Sequence, residues 1–354
     1  MKRLATLFFL ISFVPAHSEV QISPCPGVDP TSGSVRGEPL KRIASVTSSE
    51  EDRTPVPPAI AKAALNIVGR FESGGLEPWR NVNGTDVLSI GFSQWNVNAG
   101  SLYSNFFRNL PEDLVSLSDP AVRSDIRDLR EAANGRRREQ FDAIIDRWTT
   151  SKRGDPVVQG IRRSLRDPLQ SWLGSSGVVD YQVKLIEPNL RQAYSYARKW
   201  ASEAGWGNEQ LPKLTAYFFD LQIYNGGRKG LWRHNVTDLR AKLGSRAASV
   251  KLATDWLSAC SAVSIPGNLH TKMYGRNDAD KNIKLWNEDF MNEQTSEVGI
   301  EMLLFGYLRA TISDGSNRPK GFHGIYAADV LNRRGTIALG EGWVHDTKFV
   351  LFEE

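Results

Sequence analysis

From residue 58 to 73 the apolar positions recur with a helical period and leave one polar stripe, Lys62, Asn66 and Arg70, each four residues apart. Ala61, Leu65, Val68 and Glu72 fall on one line of the opposite side, beside Ile60, Ala64, Ile67 and Phe71. Pro57 and Pro58 suit a first helical turn, where a missing donor costs nothing, and Gly74-Gly75 suits an exit. The spacing predicts a helix over Ala59 to Ser73 in which Glu72 continues an apolar line instead of joining the wet stripe.

The period then shortens to two. Asn83-Gly84 between short apolar runs signals a hairpin, because a type I′ turn needs positive φ at both central residues. The expected arms are Trp79 to Val82 and Thr85 to Phe92, with Asp86, Leu88 and Ile90 on one face and Val87 and Ser89 on the other. Beyond the hairpin, helical patterns dominate: Ala99 to Leu110, Val122 to Trp148, Pro156 to Leu173, Val178 to Ala204, Leu211 to Tyr224, Ala247 to Ser261, Thr295 to Ile312 and Gly324 to Asn332. Few runs read as strands. The expected class is mainly α with a small β-hairpin element.

Two carboxylates on the first two elements are the candidate chemistry. Glu72 in a last helical turn meets the negative end of the helix dipole, unfavourable by roughly 0.3–1 kcal/mol. Burial beside Val68 and Phe71 adds desolvation, and both effects favour the protonated form that a general acid needs. The alternative is an ion pair with an arginine such as Arg80. Asp86 is the candidate base, its alternative being an Asp that solvates or caps the turn. A helix Glu facing a hairpin Asp can flank a glycosidic bond with an acid and a base.

Phe71 to Asn96 resembles the active-site core of the lysozyme-like superfamily: phage-type and goose-type lysozymes, lytic transglycosylases and family 46 chitosanases. The order helix Glu72, glycine break, hairpin Asp86, Gly91-Phe92-Ser93-Gln94 is most similar to the chitosanases and phage-type lysozymes, and FESGG resembles the Glu-Ser-Gly motif of transglycosylases. LTAYFFDLQIYNGG and VLNRRGTIALGEGWVHD resemble segments of bacterial and phage wall hydrolases. The resemblance implies a two-lobed fold with a central cleft over residues 58–354. It also implies that Glu72 and Asp86 are catalytic, and that Asp220, Tyr224 and Asn225 line the cleft from the opposite lobe. Asp220 and Tyr224, four apart, share a helix face, although a cap and turn would account for Asn225-Gly226 equally well. Transglycosylases generally lack a second essential carboxylate, so Asp86 favours a hydrolase. A glycine break and a turn between Glu72 and Asp86 leave room for a water, as in inverting enzymes, whose carboxyl groups stand about 6.5–9.5 Å apart.

Around this pair, Ser89, Gln94 and Asn96 are candidate hydrogen-bonding partners for sugar hydroxyl or acetamido groups. Ser93 is another, or else a cap for the next helix. Sugars present apolar C–H faces to aromatic planes, so Trp79 and Trp95, which flank the two carboxylates, are candidate platforms. Trp148, Trp200 and Trp256 sit at helical spacing and read as core.

Lys2 and Arg3, the apolar run Leu4 to Val14 and the small residues of Ala16-His17-Ser18 form a three-part secretory signal over residues 1–18. No later run reaches the ~18 apolar residues of a membrane span. The mature chain is expected to be secreted or periplasmic. Residues 19–57, rich in Pro, Ser, Gly and charge, read as a flexible leader. Cys25 and Cys260 are the chain's two cysteines. In an oxidising compartment they are candidates for a disulfide; the alternative is one mobile and one buried thiol. They offer no zinc spacing, and without HExxH, P-loop or GxGxxG motifs no metal, nucleotide or other cofactor is expected.

Composition, at 40% hydrophobic and 24% charged, fits one globular enzyme with a substantial core. Removal of Lys2 and Arg3 takes the formal net charge from +4 to +2. That mild excess suits an anionic wall polymer better than cationic chitosan. Arg136-Arg137-Arg138 reads as a polyanion patch or, more simply, a solvated helix face. No nucleic-acid partner is expected, and no protein partner is indicated. The leading expectation is a secreted glycosidase that cuts β-1,4 bonds between amino sugars in peptidoglycan. The alternatives are a chitosanase with the same pair, a lytic transglycosylase, or a non-catalytic wall-binding protein.

Overall fold

Leu211–Asn225 is so apolar that every residue from Leu214 to Leu221 is buried, and a helix dry on all sides must be enclosed by others. The computed structural model describes residues 54–73, 77–84, 87–261, 276–292, 294–312 and 323–352. In chain order its helices are α1 (Pro58–Ser73), α2 (Glu112–Ser116), α3 (Pro120–Asn134), α4 (Arg138–Thr149), α5 (Arg163–Leu173), α6 (Ser176–Ala204), α7 (Leu211–Asn225), α8 (Arg233–Leu243), α9 (Arg246–Ser261), α10 (Arg276–Met291), α11 (Glu297–Thr311) and α12 (His323–Leu339). Helix α7 is wrapped by α1, α6 and α12. It also meets α11, where the Tyr217 hydroxyl donates to the Met302 carbonyl at 2.8 Å and Phe218 packs on Phe305. Helices α9 to α12 complete this side of the molecule, with α8 against α9 and α11.

The strands are short and antiparallel. β1 (Val82–Asn83), β2 (Ser89–Ile90) and β3 (Trp95–Asn96) form one sheet in that order. β4 (Val157–Val158) pairs with β5 (Ile161–Arg162), and β6 (Glu341–Val344) with β7 (Thr347–Val350). The β6–β7 hairpin lies on α12 and α10. The fold is therefore mainly α with small β elements. No helix among the described residues is long and apolar enough to cross a membrane.

Helix α1 carries the expected faces: Lys62, Asn66 and Arg70 are exposed, while Ile60, Ala64, Ile67, Val68 and Phe71 are buried. Trp148, Trp200 and Trp256 are wholly buried, as their spacing suggests. Elsewhere the structure departs from the pattern. The stretch 99–110 holds a π-helical turn, Leu102–Phe107. The expected helix from Val122 to Trp148 is two, split at Gly135–Arg137, where Arg136 takes φ +56°. The start of the expected Pro156–Leu173 helix is the β4–β5 hairpin. Helix α10 and the β6–β7 hairpin are additional elements. Helix α12 runs past Asn332 because Arg333 and Arg334, which look like a basic helix end, are wholly buried in mid-helix. Gly335 continues the packing: a Cβ there would stand 2.2 Å from the Trp286 ring.

The Asn83-Gly84 turn is also different. Asn83 is a strand residue opposite Ser89, so residues 84–88 form the link, and neither Asn83 nor Gly84 has positive φ. Gly84 is required for close approach instead, since a Cβ would lie 2.1 Å from the Gly160 Cα in the β4–β5 turn.

Candidate active site

The three-stranded sheet is fixed against the end of α1. Gly69, one turn before the helix ends, leaves space for the Pro78 and Phe92 side chains, which a Cβ would meet at 2.7 and 2.9 Å. Phe92 is stacked between Trp79 (4.8 Å) and Phe219 of α7 (6.0 Å). Gln182, wholly buried on α6, uses both ends of its amide as a clamp. Its Oε1 accepts from the Phe92 N–H at 3.0 Å, and its Nε2 donates to the carbonyls of Leu173 (2.9 Å) and Trp79 (3.3 Å). The strand segment that follows the Glu72 helix is thus held to α1, α6 and α7 at once.

Beneath the same helix end lies a cluster of buried charge. Asp220 of α7 is ion-paired with both Arg333 and Arg334 of α12, and all three side chains are fully buried. The Arg333 guanidinium lies 4.0 Å over the Tyr224 ring and 5.3 Å over Phe71, the residue before Glu72. The ends of α1 and α7 therefore converge on one arginine. Tyr224 donates its hydroxyl to Asp329 of α12, and Nε2 of His345, in the β6–β7 turn, stands 3.4 Å from the other oxygen of Asp329. On the next strand Phe349 packs edge-on against Phe71 at 4.8 Å, with Arg70 over its ring.

Charge balance sets the protonation of these acids. Burial pushes the Asp329 carboxyl up, but the facing His345, with Arg333 and the Tyr224 hydroxyl, outweighs burial and holds it below the usual carboxylate range. Asp278 of α10 behaves oppositely. Burial, then the charges of Asp346 and Asp329, raise it to about 6, against the Asp346 N–H that it accepts and the pull of His345.

The expected site residues divide into three groups. Glu72 is the penultimate residue of α1, as its pattern implies, while its side chain and Asp86 lie outside the described residues. The same holds for the Asn225 side chain at the end of α7, for the signal segment 1–18 and for Cys25. Ser89, Trp95 and Asp220 are buried and engaged within the protein. Ser89 accepts from Asn96 Nδ2 at 2.8 Å across the β2–β3 pair, Trp95 packs on Phe106, and Asp220 holds its two arginines. None of the three presents an open face for a sugar in this structure. The third group keeps partial exposure: Trp79, Ser93, Gln94, Asn96 and Tyr224. Gln94 takes φ +46° in the β2–β3 turn, and Asn96 Oδ1 also accepts from the Ala99 N–H at 2.9 Å. Trp79 gives one ring face to Phe92, so a sugar could use only the other.

Cys260 is wholly buried in α9 and disulfide-bonded. Arg80, the suggested ion-pair partner of Glu72, bridges Glu77 at 2.7 Å. Arg138 pairs with Asp142 at 2.8 Å, whereas Arg136 and Arg137 are exposed at the α3–α4 junction. No group of His, Cys, Asp and Glu among the described residues could hold a metal ion.

Arg333, Arg334 and His345 lie within the segment VLNRRGTIALGEGWVHD, and Asp329 directly precedes it, but none is marked as a site residue by its pattern. The available signal is Asp220, an acid in the middle of an otherwise apolar helix, which needs a buried cation. Comparison with family models, curated proteins and solved structures gives no match.

Proposed function

We propose that this chain is an exported glycoside hydrolase that cuts β-1,4 bonds between amino sugars, with peptidoglycan as its substrate. Glu72 is the general acid, and Asp86 is the base that activates water for an inverting attack. In this reading the cleft of a two-lobed, lysozyme-like arrangement opens between the β1–β3 sheet and the end of α7. Trp79, Ser93, Gln94, Asn96 and Tyr224 then supply its sugar contacts.

The observation that carries the proposal is the charge cluster under the last turn of α1. Two arginines and two carboxylates, all nearly inaccessible, are costly to desolvate and contribute little net stability over apolar packing. Ionisable clusters of this kind concentrate where a fold must control proton affinity. Here Arg333 touches the residue next to Glu72 and the tyrosine at the end of α7. A helix Glu followed by a strand segment clamped at Gln182 gives the acid and its opposing loop a rigid mount.

Glu72→Gln keeps shape and removes the titrating proton, so turnover on purified peptidoglycan is expected to fall by about 10²-fold or more. Proton NMR of early products should show the α anomer at the new reducing end, as inversion requires. A well-folded Glu72→Gln protein with wild-type turnover would overturn the assignment. A β product would indicate retention, and a 1,6-anhydro end a transglycosylase. Parallel digestion of chitosan separates the chitosanase alternative, and no cleavage of either polymer would favour the non-catalytic one.

A further inference from the structure

We propose that His345 is a positioning residue for Glu72: its protonation tightens a brace that runs through Asp329 to Tyr224 and Arg333, at the converging ends of α1 and α7. The proposal rests on the reading of Glu72 as the acid. The β6–β7 hairpin touches the site from two directions. Phe349 on β7 packs against Phe71, and His345 in the turn faces Asp329, whose other oxygen accepts the Tyr224 hydroxyl. Asp329 is 2% exposed, so its charge must be met from within, and Tyr224, Arg333 and His345 surround it.

His345 is the basic member of this set that titrates near neutrality; its side chain is 26% accessible, and it can gain a proton in mildly acidic medium. At 3.4 Å its Nε2 stands farther from Asp329 than the about 2.7–2.9 Å of a charge-assisted bond. A proton on the imidazole would strengthen this pairing by adding charge to it. The residues of the β6–β7 turn, His345 and Asp346, both take positive φ (+52° and +62°), a conformation that β-hairpins normally assign to Asn or Gly. A histidine held there is placed at some backbone cost, which is consistent with a role for its ring.

The groups that face His345 set the conditions. From α12 they are Asp329 and, behind it, Arg333; from α10, Asp278 and Lys281, the latter bridged to Asp346 at 3.5 Å; within the hairpin, Asp346 itself. On β7, Lys348 pairs with Glu341 of β6 at 3.1 Å. Asp278 also titrates near pH 6, so the experiment must isolate the histidine. His345→Asn, whose Asn tolerates positive φ, is therefore compared with wild type both alone and in an Asp278→Asn background, because the histidine also lowers the Asp278 carboxyl.

Amide hydrogen exchange of residues 66–73 at pH 5 and pH 8, corrected for intrinsic rates, reads the brace without any assay of activity. Wild-type protection is expected to rise roughly tenfold more at pH 5 than that of His345→Asn, the weight of one hydrogen bond to a charged group. In the full-length protein the imidazole NMR titration midpoint should fall in Asp329→Asn, where the facing anion is gone. On peptidoglycan, the ratio of kcat/KM at pH 5 to that at pH 8 should drop in His345→Asn through kcat, with KM nearly unchanged. Equal protection of the two proteins at both pH values, or an unmoved midpoint in Asp329→Asn, would overturn the brace. If wild type cleaves no glycan, the glycosidase reading fails, while exchange and titration still decide whether His345 holds the end of α1.

Discussion

Asp278→Asn should make the protein more stable at neutral pH, although it removes a native carboxylate. Asp278 is 2% exposed and accepts the Asp346 N–H with both oxygens, at 3.1 and 3.2 Å. Burial, with Asp346 and Asp329 nearby, raises its carboxyl from 3.8 to about 6. Between those values the folded protein binds a proton that the unfolded chain has released, so stability falls as pH rises through this window and the full cost is present above about pH 6. A shift of about two units corresponds to about 3 kcal/mol. Asn cannot ionise, and its carbonyl still accepts the Asp346 N–H, at a loss of about 1 kcal/mol relative to a charged acceptor. The net gain at pH 7.5 is then about 2 kcal/mol. Asp329 acts in the opposite sense at lower pH: its depressed carboxyl stabilises the fold at neutrality and loses that contribution only as pH falls below the ordinary carboxylate range. Urea unfolding at pH 5 and 7.5, followed by circular dichroism, separates the two. Wild type should lose about 1 kcal/mol from Asp278 between those pH values, and the variant should lack that part of the slope. A variant no more stable than wild type at pH 7.5, with the same slope, would refute the reasoning.

Three further outcomes follow from the same structure. Asp220→Asn leaves Arg333 and Arg334 buried without their common anion and should cost about 3–5 kcal/mol in urea unfolding, whereas a surface Asp such as Asp180 should cost little. Gly84→Val drives a side chain into the Gly160 backbone and should destabilise by about 1–3 kcal/mol, with faster amide exchange in β4–β5, while a turn-glycine role would predict a local effect at residues 83–89 alone. Trp79→Ala removes the ring stacked on Phe92 and should lower stability by about 3 kcal/mol even in the absence of glycan; a loss of glycan affinity with unchanged stability would instead mark Trp79 as a sugar platform only.

What could be read from the sequence is what depends on near neighbours. The wet stripe of α1, the long helical stretches and the three core tryptophans follow from spacing within a few turns, and their burial agrees. Gly84 shows where local reading stops. Its turn chemistry was unambiguous by itself, yet its backbone is shaped by Gly160, which only the folded chain brings within reach. The β6–β7 turn has the reverse problem: Val344-His345-Asp346-Thr347 carries no Asn-Gly signal, because the positive φ values are held by contacts to α10 and α12. Helix α12 is the clearest case. Arg333-Arg334-Gly335 has the composition of a helix end, with cations meeting the negative dipole and a glycine to stop. In the fold the arginines answer Asp220 and the glycine answers Trp286, so the helix continues to Leu339. The acid in α7 and the basic pair in α12 each look misplaced in their own segment. Together they locate a buried pairing more than a hundred residues apart, and it reaches Phe71 in the last turn of the opening helix. Local rules failed where the two misfit segments meet, which is where a strained or functional site is expected to lie.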